Sequence, residues 1–128
     1  MRPKIVLDTN VLLMPAKRKF DLIAECERLL PECELAVLKP TLEELKMLGA
    51  KRTKDGAAAR IALILVQRNG FHEIDVPGAR KADEAMVALA GQGKKMVFAT
   101  NDAVLRRRLR ALHARTICLK GESHLDWC

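Results

Sequence analysis

Five short apolar segments alternate with stretches of helical periodicity along this chain. The predicted strands are residues 4–7, 35–38, 71–76, 96–99 and 115–119. Apolar residues at helical spacing predict helices over residues 20–30, 41–48, 57–68, 79–90 and 103–112. The strand segments are apolar on both faces, which is typical of buried parallel strands. Strands that alternate with helices predict a three-layer α/β/α sandwich around a central parallel sheet of about five strands.

The size and composition of the chain limit its organisation and its partners. With 128 residues, of which 49% are hydrophobic, it has room for one core, so residues 1–128 are expected to form a single domain. Only 3% of the residues are aromatic, which argues against a base-stacking platform. The net charge of +7 favours a polyanionic partner such as nucleic acid, although a basic chain is also simply more soluble.

The lengths of the apolar segments and the spacing of the cysteines indicate where in the cell the protein is located. The longest apolar segments are far shorter than the roughly 20 residues of a membrane-spanning helix. The four cysteines form no C-x-x-C pair, and no apolar leader precedes the first strand. We therefore expect a cytoplasmic protein with no membrane association.

Acidic residues directly follow two of the predicted strands. Asp8 follows Ile5-Val6-Leu7, and Asp102 follows the fourth strand in Thr100-Asn101-Asp102. In a parallel sheet the carboxyl ends of the strands share one edge, where ligands bind at the topological switch point. An aspartate directly after a buried strand needs a partner that offsets its desolvation. The two carboxylates are therefore expected to converge in a site.

Helical phase selects a third acidic residue in the helix after Pro40. Leu42, Leu45 and Leu48 define its inward stripe. At about 100° per residue, Glu44 lies on the flank of that stripe and Glu43 lies almost opposite it. Glu44 is therefore expected to reach inward and Glu43 to be solvated.

The same reasoning selects a fourth acid in the helix after Gly78. Its apolar face includes Ala85, Met86 and Leu89. Asp83 lies beside that face and Glu84 points away from it. Asp83 is therefore the member of this acidic pair that we expect at the site.

Each acid taken alone also has an ordinary structural explanation. Asp102 could cap a helix, Asp83 could be a first-turn acid favoured by the helix dipole, and Glu44 could pair with a lysine. Together, and with hydroxyl and amide groups nearby, the four acids predict a site for Mg²⁺ or Mn²⁺, which prefer carboxylate oxygens and water. Such an ion polarises a phosphoryl oxygen and activates water. The neighbouring polar residues are Thr9, Asn10, Thr100 and Asn101.

The order of these motifs resembles that of the PIN-domain nucleases. The chain contains Leu7-Asp8-Thr9-Asn10, Glu43-Glu44-Leu45, Lys81-Ala82-Asp83-Glu84 and Ala99-Thr100-Asn101-Asp102, in that order. The resemblance covers nearly the whole chain and implies an endoribonuclease that depends on Mg²⁺ or Mn²⁺. By position, it implies a catalytic and metal-binding quartet of Asp8, Glu44, Asp83 and Asp102. It also implies hydrogen-bond support from Thr9, Asn10, Thr100 and Asn101.

Two branches of that family compete. Leu13-Met14-Pro15 followed by Phe20-Asp21 resembles the Fcf1-like branch associated with ribosomal RNA processing, which we favour. The VapC-like toxins of toxin–antitoxin pairs have a similar length. The expected partners beside RNA are accordingly a ribosome-assembly factor or an antitoxin protein, and the chain could form a homodimer. A catalytically inactive RNA-binding or assembly module that keeps the fold is a further alternative.

Basic clusters are the candidates for RNA contact. Lys17, Arg18 and Lys19 are expected in the loop after Asp8, on the side of the sheet that carries the site. A second group lies on the exposed face of the last predicted helix. It consists of Arg106, Arg107 and Arg110. A third basic group, Lys51-Arg52-Thr53-Lys54, lies between two predicted helices. Contacts from these side chains to phosphates would bind RNA without reading its sequence.

Overall fold

The computed structural model describes residues 2–93 and 95–128, which form six strands and six helices. The strands are β1 (Lys4–Leu7), β2 (Glu34–Leu38), β3 (His72–Ile74), β4 (Met96–Ala99), β5 (Arg115–Lys120) and β6 (His124–Trp127). The helices are α1 (Thr9–Lys17), α2 (Leu22–Leu29), α3 (Lys39–Gly49), α4 (Lys54–Arg68), α5 (Ala82–Gly91) and α6 (Ala103–Ala111).

All six strands belong to one sheet, in the order β3-β2-β1-β4-β5-β6. The first five in chain order are parallel, and β6 is antiparallel to β5. From β1 the chain builds toward one edge through β2 and β3, and then toward the other through β4, β5 and β6. The topological switch point therefore lies between β1 and β4, where ligand sites of such sheets are found.

Alternate residues of the central strands pack into two separate apolar cores. Ile5 and Leu7 of β1 face one core, together with α1, α2, α3 and α4. Val6 of β1 and Phe98 of β4 face the other core, against α5 and α6. Because both faces of the sheet are covered, its strands are apolar on both sides. The predicted three-layer α/β/α sandwich is confirmed.

Two elements of this fold were not predicted. Helix α1 directly follows Asp8, which caps it, but it is short and contains Pro15, a residue that usually ends a helix. Strand β6 is four residues long, and polar His124 and Asp126 alternate in it with Leu125 and Trp127. The sheet therefore has six strands and one antiparallel edge, where about five parallel strands were expected. Among the described residues, no helix has the length and apolar character needed to cross a membrane.

Candidate active site

Asp8 and Asp102 lie at neighbouring strand ends because β1 and β4 pair in the sheet. The N–H of Asp8 donates to the carbonyl of Ala99 at 2.9 Å, and the N–H of Thr100 donates to that of Ile117 at 3.0 Å. These bonds extend the sheet pairing past the last regular residue of each strand. They therefore fix the backbone that carries both aspartates at the switch point.

One cavity of about 530 Å³ contains all four predicted acids. Asp8 and Asp102 come from the sheet edge, Glu44 from α3 and Asp83 from the first turn of α5. The other lining residues are Thr9, Asn10, Pro40, Glu43, Met47, Leu48, Lys51, Arg80, Lys81, Ala82 and Leu105. Five carboxylates and three cationic side chains thus share this cavity, which we call the acidic pocket.

The carboxylate of Asp8 is held by two hydrogen bonds. Its Oδ1 accepts from the N–H of Thr9 at 2.9 Å, and its Oδ2 accepts from Oγ1 of Thr100 at 2.7 Å. Thr100 is completely buried, and its Oγ1 also accepts from the N–H of Asp102 at 3.2 Å. The hydroxyl of Thr100 therefore links the two aspartates and fixes the orientation of Asp8.

Burial raises the pKa of Asp8 above its ordinary value, since desolvation disfavours the charged form. The hydrogen bonds from Thr100 and Thr9 oppose this shift, and the negative charges of Asp102 and Asp83 add to it. Among the described residues, the ion pairs do not include Asp8. The carboxylate is thus oriented by hydrogen bonds but has no ion-pair partner among the described residues.

Glu44 and Asp83 are fixed less tightly than Asp8, with one hydrogen bond to each carboxylate among the described residues. Oγ1 of the buried Thr9 donates to Oε2 of Glu44 at 3.1 Å, which draws this exposed side chain toward Asp8. Asp83 is half-buried, and its Oδ1 accepts from the N–H of Glu84 at 2.9 Å. Glu84 is exposed and lies outside the pocket lining, as the helical phase predicted.

Asp102 combines the structural role considered above with a place in the pocket. Its Oδ1 caps α6 by accepting from the N–H groups of Val104 and Leu105, at 2.9 and 3.1 Å. The cap uses one carboxylate oxygen, so capping and ligand binding are compatible.

Of the two asparagines expected to support the quartet, Asn10 lines the pocket. Oδ1 of Asn101 instead accepts from the N–H of Leu119 at 2.9 Å. Asn101 therefore ties the end of β4 to β5, and the hydrogen bond that the structure shows for it goes to the sheet and not to an acid.

Lys17 was expected in a loop, but it is the last residue of α1. Residues 9–17 form α1, which starts at the pocket and places Lys17 about 12 Å along its axis, at 1.5 Å per residue, with Arg18 and Lys19 following the helix. Lys17 pairs with Asp55 at the start of α4. None of the three lines the pocket. Arg106, Arg107 and Arg110 also lie outside its lining, one to two turns along α6 from Asp102.

Four charged residues of the lining were not among the predicted site residues. Glu43 is exposed as expected but borders the pocket all the same, because α3 runs along its mouth. The other three are the cations Lys51, Arg80 and Lys81, of which Lys51 belongs to the basic group at residues 51–54 noted in the sequence. A usable signal existed for two of them, since Arg80-Lys81 immediately precedes the helix start that carries Asp83.

The donor set of the acidic pocket fits a hard divalent cation. Its oxygen donors are carboxylates, and the burial of Asp8 is not offset by any ion pair among the described residues. Within residues 2–93 and 95–128, no three acidic, histidine or cysteine side chains come close enough to enclose one ion by themselves. Mg²⁺ typically binds through one or two carboxylates and keeps several waters, which is compatible with this open arrangement.

Comparison with known proteins decides the family. A family model described as a PIN like domain matches residues 5–122. The chain belongs to the PIN-like domain family. That match includes the pocket lining from Asp8 to Leu105 and the whole of β5.

Two similar proteins support this membership. Ribonuclease VapC4 of Methanocaldococcus jannaschii is 33% identical over 125 residues, which cover 96% of this chain and 95% of that protein. The solved structure of the PIN domain endonuclease Utp24 matches this PIN-like domain with a TM-score of 0.81 at 22% identity. The match covers 97% of this chain and 90% of that one, and at this identity it concerns the fold.

Proposed function

We propose that residues 1–128 act as a single PIN-like domain that hydrolyses phosphodiester bonds within RNA and depends on Mg²⁺ or Mn²⁺. The observation that carries this proposal is the acidic pocket, in which five carboxylates surround the topological switch point. Family membership and the near full-length likeness to a protein named as a ribonuclease support RNA as the substrate. We further propose a cytoplasmic location.

We assign Asp8, Glu44, Asp83 and Asp102 as the catalytic residues and metal ligands. Asp8 is the central ligand of this assignment, because its carboxylate is half-buried and is oriented by hydrogen bonds from Thr9 and Thr100. A bound Mg²⁺ or Mn²⁺ supplies positive charge that polarises the phosphoryl oxygen and activates water. A cation also offsets the desolvation and repulsion that raise the pKa of Asp8.

The threonines are positioning residues in this proposal. Thr100 holds Oδ2 of Asp8, and Thr9 holds Oε2 of Glu44. Both threonines are nearly inaccessible, Thr100 at 0% and Thr9 at 6% exposure, so in this proposal they orient the carboxylates without contacting substrate. Such supporting bonds commonly change metal affinity or activity by about 10- to 100-fold.

The experiment is cleavage of an end-labelled single-stranded RNA by purified protein with Mn²⁺ or Mg²⁺, with EDTA as a blank. We expect cleavage by the wild type and by Asp21→Asn, and none detectable from Asp8→Asn. Asp21 is the matched control because it is also the N-cap of a helix and lies outside the pocket. Calorimetric titration with Mn²⁺ should show binding to the same two proteins that cleave.

Two results would contradict the proposal. Equal cleavage by wild type and Asp8→Asn would identify a contaminating nuclease. RNA binding by the wild type without cleavage, indifferent to EDTA and to Asp8→Asn, would identify the inactive RNA-binding module.

The branch of the family is a separate question with its own test. The processing role that the sequence favours predicts cutting of a structured precursor RNA at a defined position, without effect on host growth. The VapC-like role is favoured by the likeness to Ribonuclease VapC4 and predicts growth arrest on induced expression. Asp8→Asn is the control, because arrest that persists in that variant is not caused by the nuclease. A ribosome-assembly factor, an antitoxin and a second copy of the chain are the partners proposed for these two roles.

A further inference from the structure

Three cationic side chains border the acidic pocket, and they come from two separate segments. Lys51 lies between α3 and α4, and Arg80 and Lys81 directly precede α5. All three are exposed. Among the residues described, the ion pairs do not include any of them, whereas Lys17 is paired with Asp55. We call Lys51, Arg80 and Lys81 the cationic rim.

The backbone at Lys51 is held in place by close packing. A Cβ at position 56 would lie 2.0 Å from the carbonyl oxygen of Lys51 and 2.8 Å from that of Leu48, so the junction of α3 and α4 requires a glycine there. The guanidinium of Arg60 donates to the carbonyls of Gly49 and Lys51, at 2.7 and 3.2 Å. Lys51 therefore projects from a well-defined position at the pocket.

The second part of the rim is tied to α5. The N–H of Arg80 donates to Oε2 of Glu84 at 3.4 Å, and Lys81 is the N-cap residue of the helix. Asp83 lies two residues further on, in the first turn of α5. The same helix start therefore positions an acid inside the pocket and two cations at its border.

This combination of negative charge inside the pocket and positive charge at its border suits the phosphodiester backbone of a nucleic acid. Five carboxylates repel a polyanion at short range, and the rim supplies fixed positive charge at the border of the same pocket. Phosphates held by the rim would lie next to the acids without having to enter among them. Arginine and lysine are the usual phosphate-binding side chains.

The shape and apolar content of the pocket favour a single strand. A cavity of about 530 Å³ is in the size range of small-ligand sites and is far too small for a base-paired helix. Met47 lines it and is 71% exposed, although it is a large apolar side chain. A methionine thioether packs favourably against an aromatic ring, and an unstacked nucleobase offers one.

We infer that Lys51, Arg80 and Lys81 bind the phosphates next to the scissile bond of a single-stranded RNA, with Met47 against an unstacked base. This inference rests on the proposed function, because it places the rim beside the catalytic acids. It also assigns RNA contact near the pocket to residues other than Lys17, Arg18, Lys19 and the arginines of α6.

Binding is measured in the Asp8→Asn background, so that cleavage does not interfere. The probe is a fluorescein-labelled uridine octamer, followed by anisotropy over a series of salt concentrations. Removing all three rim cations by substitution with alanine should flatten the slope of log affinity against log salt by about 2, or about 0.7 for each phosphate contact to a single strand. Lys46→Ala and Arg68→Ala are matched controls, since both residues are exposed helical cations outside the pocket, and they should leave the slope unchanged.

Two further measurements test whether Met47 contacts an unstacked base and whether the cationic rim binds phosphates that flank the scissile bond. Met47→Ala should weaken octamer binding about 2- to 10-fold, which is the range of a methionine–aromatic contact. With Asp8 restored, each single rim substitution should raise KM for the octamer and leave kcat nearly unchanged, because contacts to flanking phosphates are made equally in the ground and transition states.

Several outcomes would overturn the inference. These are an equal loss of slope in the Lys46 or Arg68 controls, a larger loss on removing Arg106, Arg107 and Arg110, and rim-dependent binding of a duplex with equal affinity. Displacement of the octamer by poly-glutamate at equal concentration would indicate an acidic protein as the partner instead. Rim-dependent binding without cleavage by the wild type would remove the proposed function, whereas cleavage with rim-independent binding would remove only this inference.

Discussion

Asp8 at the end of β1 and Glu25 on α2 have surroundings that shift their pKa values in opposite directions. Hydrogen bonds from Arg28 lower the pKa of Glu25, at 3.2 and 3.1 Å from Nε and Nη2. Glu25 also accepts from the N–H of Leu125 at 2.8 Å, while Nη2 of Arg28 donates to the carbonyl of Leu125 at 2.6 Å. Burial beside other carboxylates instead raises the pKa of Asp8.

Glu25 is an acid that stabilises the fold, whereas Asp8 is an acid that the fold orients for binding a ligand. The Glu25–Arg28 pair occupies both polar backbone groups of Leu125 on the edge strand β6, which closes that edge against pairing with another strand. The negative charge of Glu25 is therefore balanced by Arg28 within the protein. The charge of Asp8 has hydrogen-bond donors but no ion-pair partner among the described residues, so it is available to a ligand.

Among the substitutions that test this difference between Asp8 and Glu25, Asp8→Asn is expected to have the largest effect. RNA cleavage should fall by roughly a hundredfold or more, since a bound metal supplies several kcal/mol to the transition state. The melting temperature in EDTA should not fall, because the substitution removes a buried charge whose ionised form is disfavoured in the fold. Thermal unfolding followed by circular dichroism measures the second part. A clear drop in melting temperature would mean that Asp8 is a structural acid like Glu25.

The second largest effect is expected at Thr100, whose hydroxyl donates a hydrogen bond to Asp8. Thr100→Val keeps the shape of the side chain but removes the donor to Asp8 and the acceptor for the N–H of Asp102. We expect activity and Mn²⁺ affinity to fall about 10- to 100-fold, with far-UV circular dichroism unchanged. Thr100→Ser should recover most of both, because it restores the hydroxyl. A serine variant as inactive as the valine variant would point to packing and not to the hydrogen bond.

A smaller effect is expected at the structural pair. Glu25→Ala should lower the free energy of unfolding by about 1–2 kcal/mol, because the N–H of the buried Leu125 loses its acceptor. Urea denaturation measures this change, with the exposed Glu122→Ala as the control. Cleavage by the folded variant should equal that of the wild type. A loss of activity without a loss of stability would reverse the roles assigned to the two acids.

The smallest effect is the pH dependence of that same contribution. A lowered pKa means that the folded state favours ionised Glu25, so its stabilisation is present above the ordinary pKa and is lost as pH falls through the lowered value. The stability difference between wild type and Glu25→Ala should therefore be full at pH 7 and shrink below about pH 4. Urea titrations at several pH values measure it, and a difference that stays constant down to pH 3 would show that the charge of Glu25 contributes nothing.

Regular elements were predicted wherever local pattern determines structure. The bounds of β1 and β4 agree with the predicted segments, and the aspartates after them lie at one edge as expected. Helix α1 was missed because Pro15 and a short apolar run do not distinguish a helix from a loop. That error also misplaced Lys17, because this residue lies at the far end of a helix and not in a loop beside the strand end.

The sequence alone determined the layer architecture and the order of the acidic motifs, because both depend on periodicity and strand ends that are local in the chain. Only the tertiary structure decided which polar atoms meet. It directed Asn101 to Leu119, joined Thr100 to Asp8, and brought Lys51 and Arg80 to one pocket. Such encounters join residues far apart in the chain, and they depend on strand register, helix direction and the close approach of backbones. One-dimensional spacing does not contain these quantities.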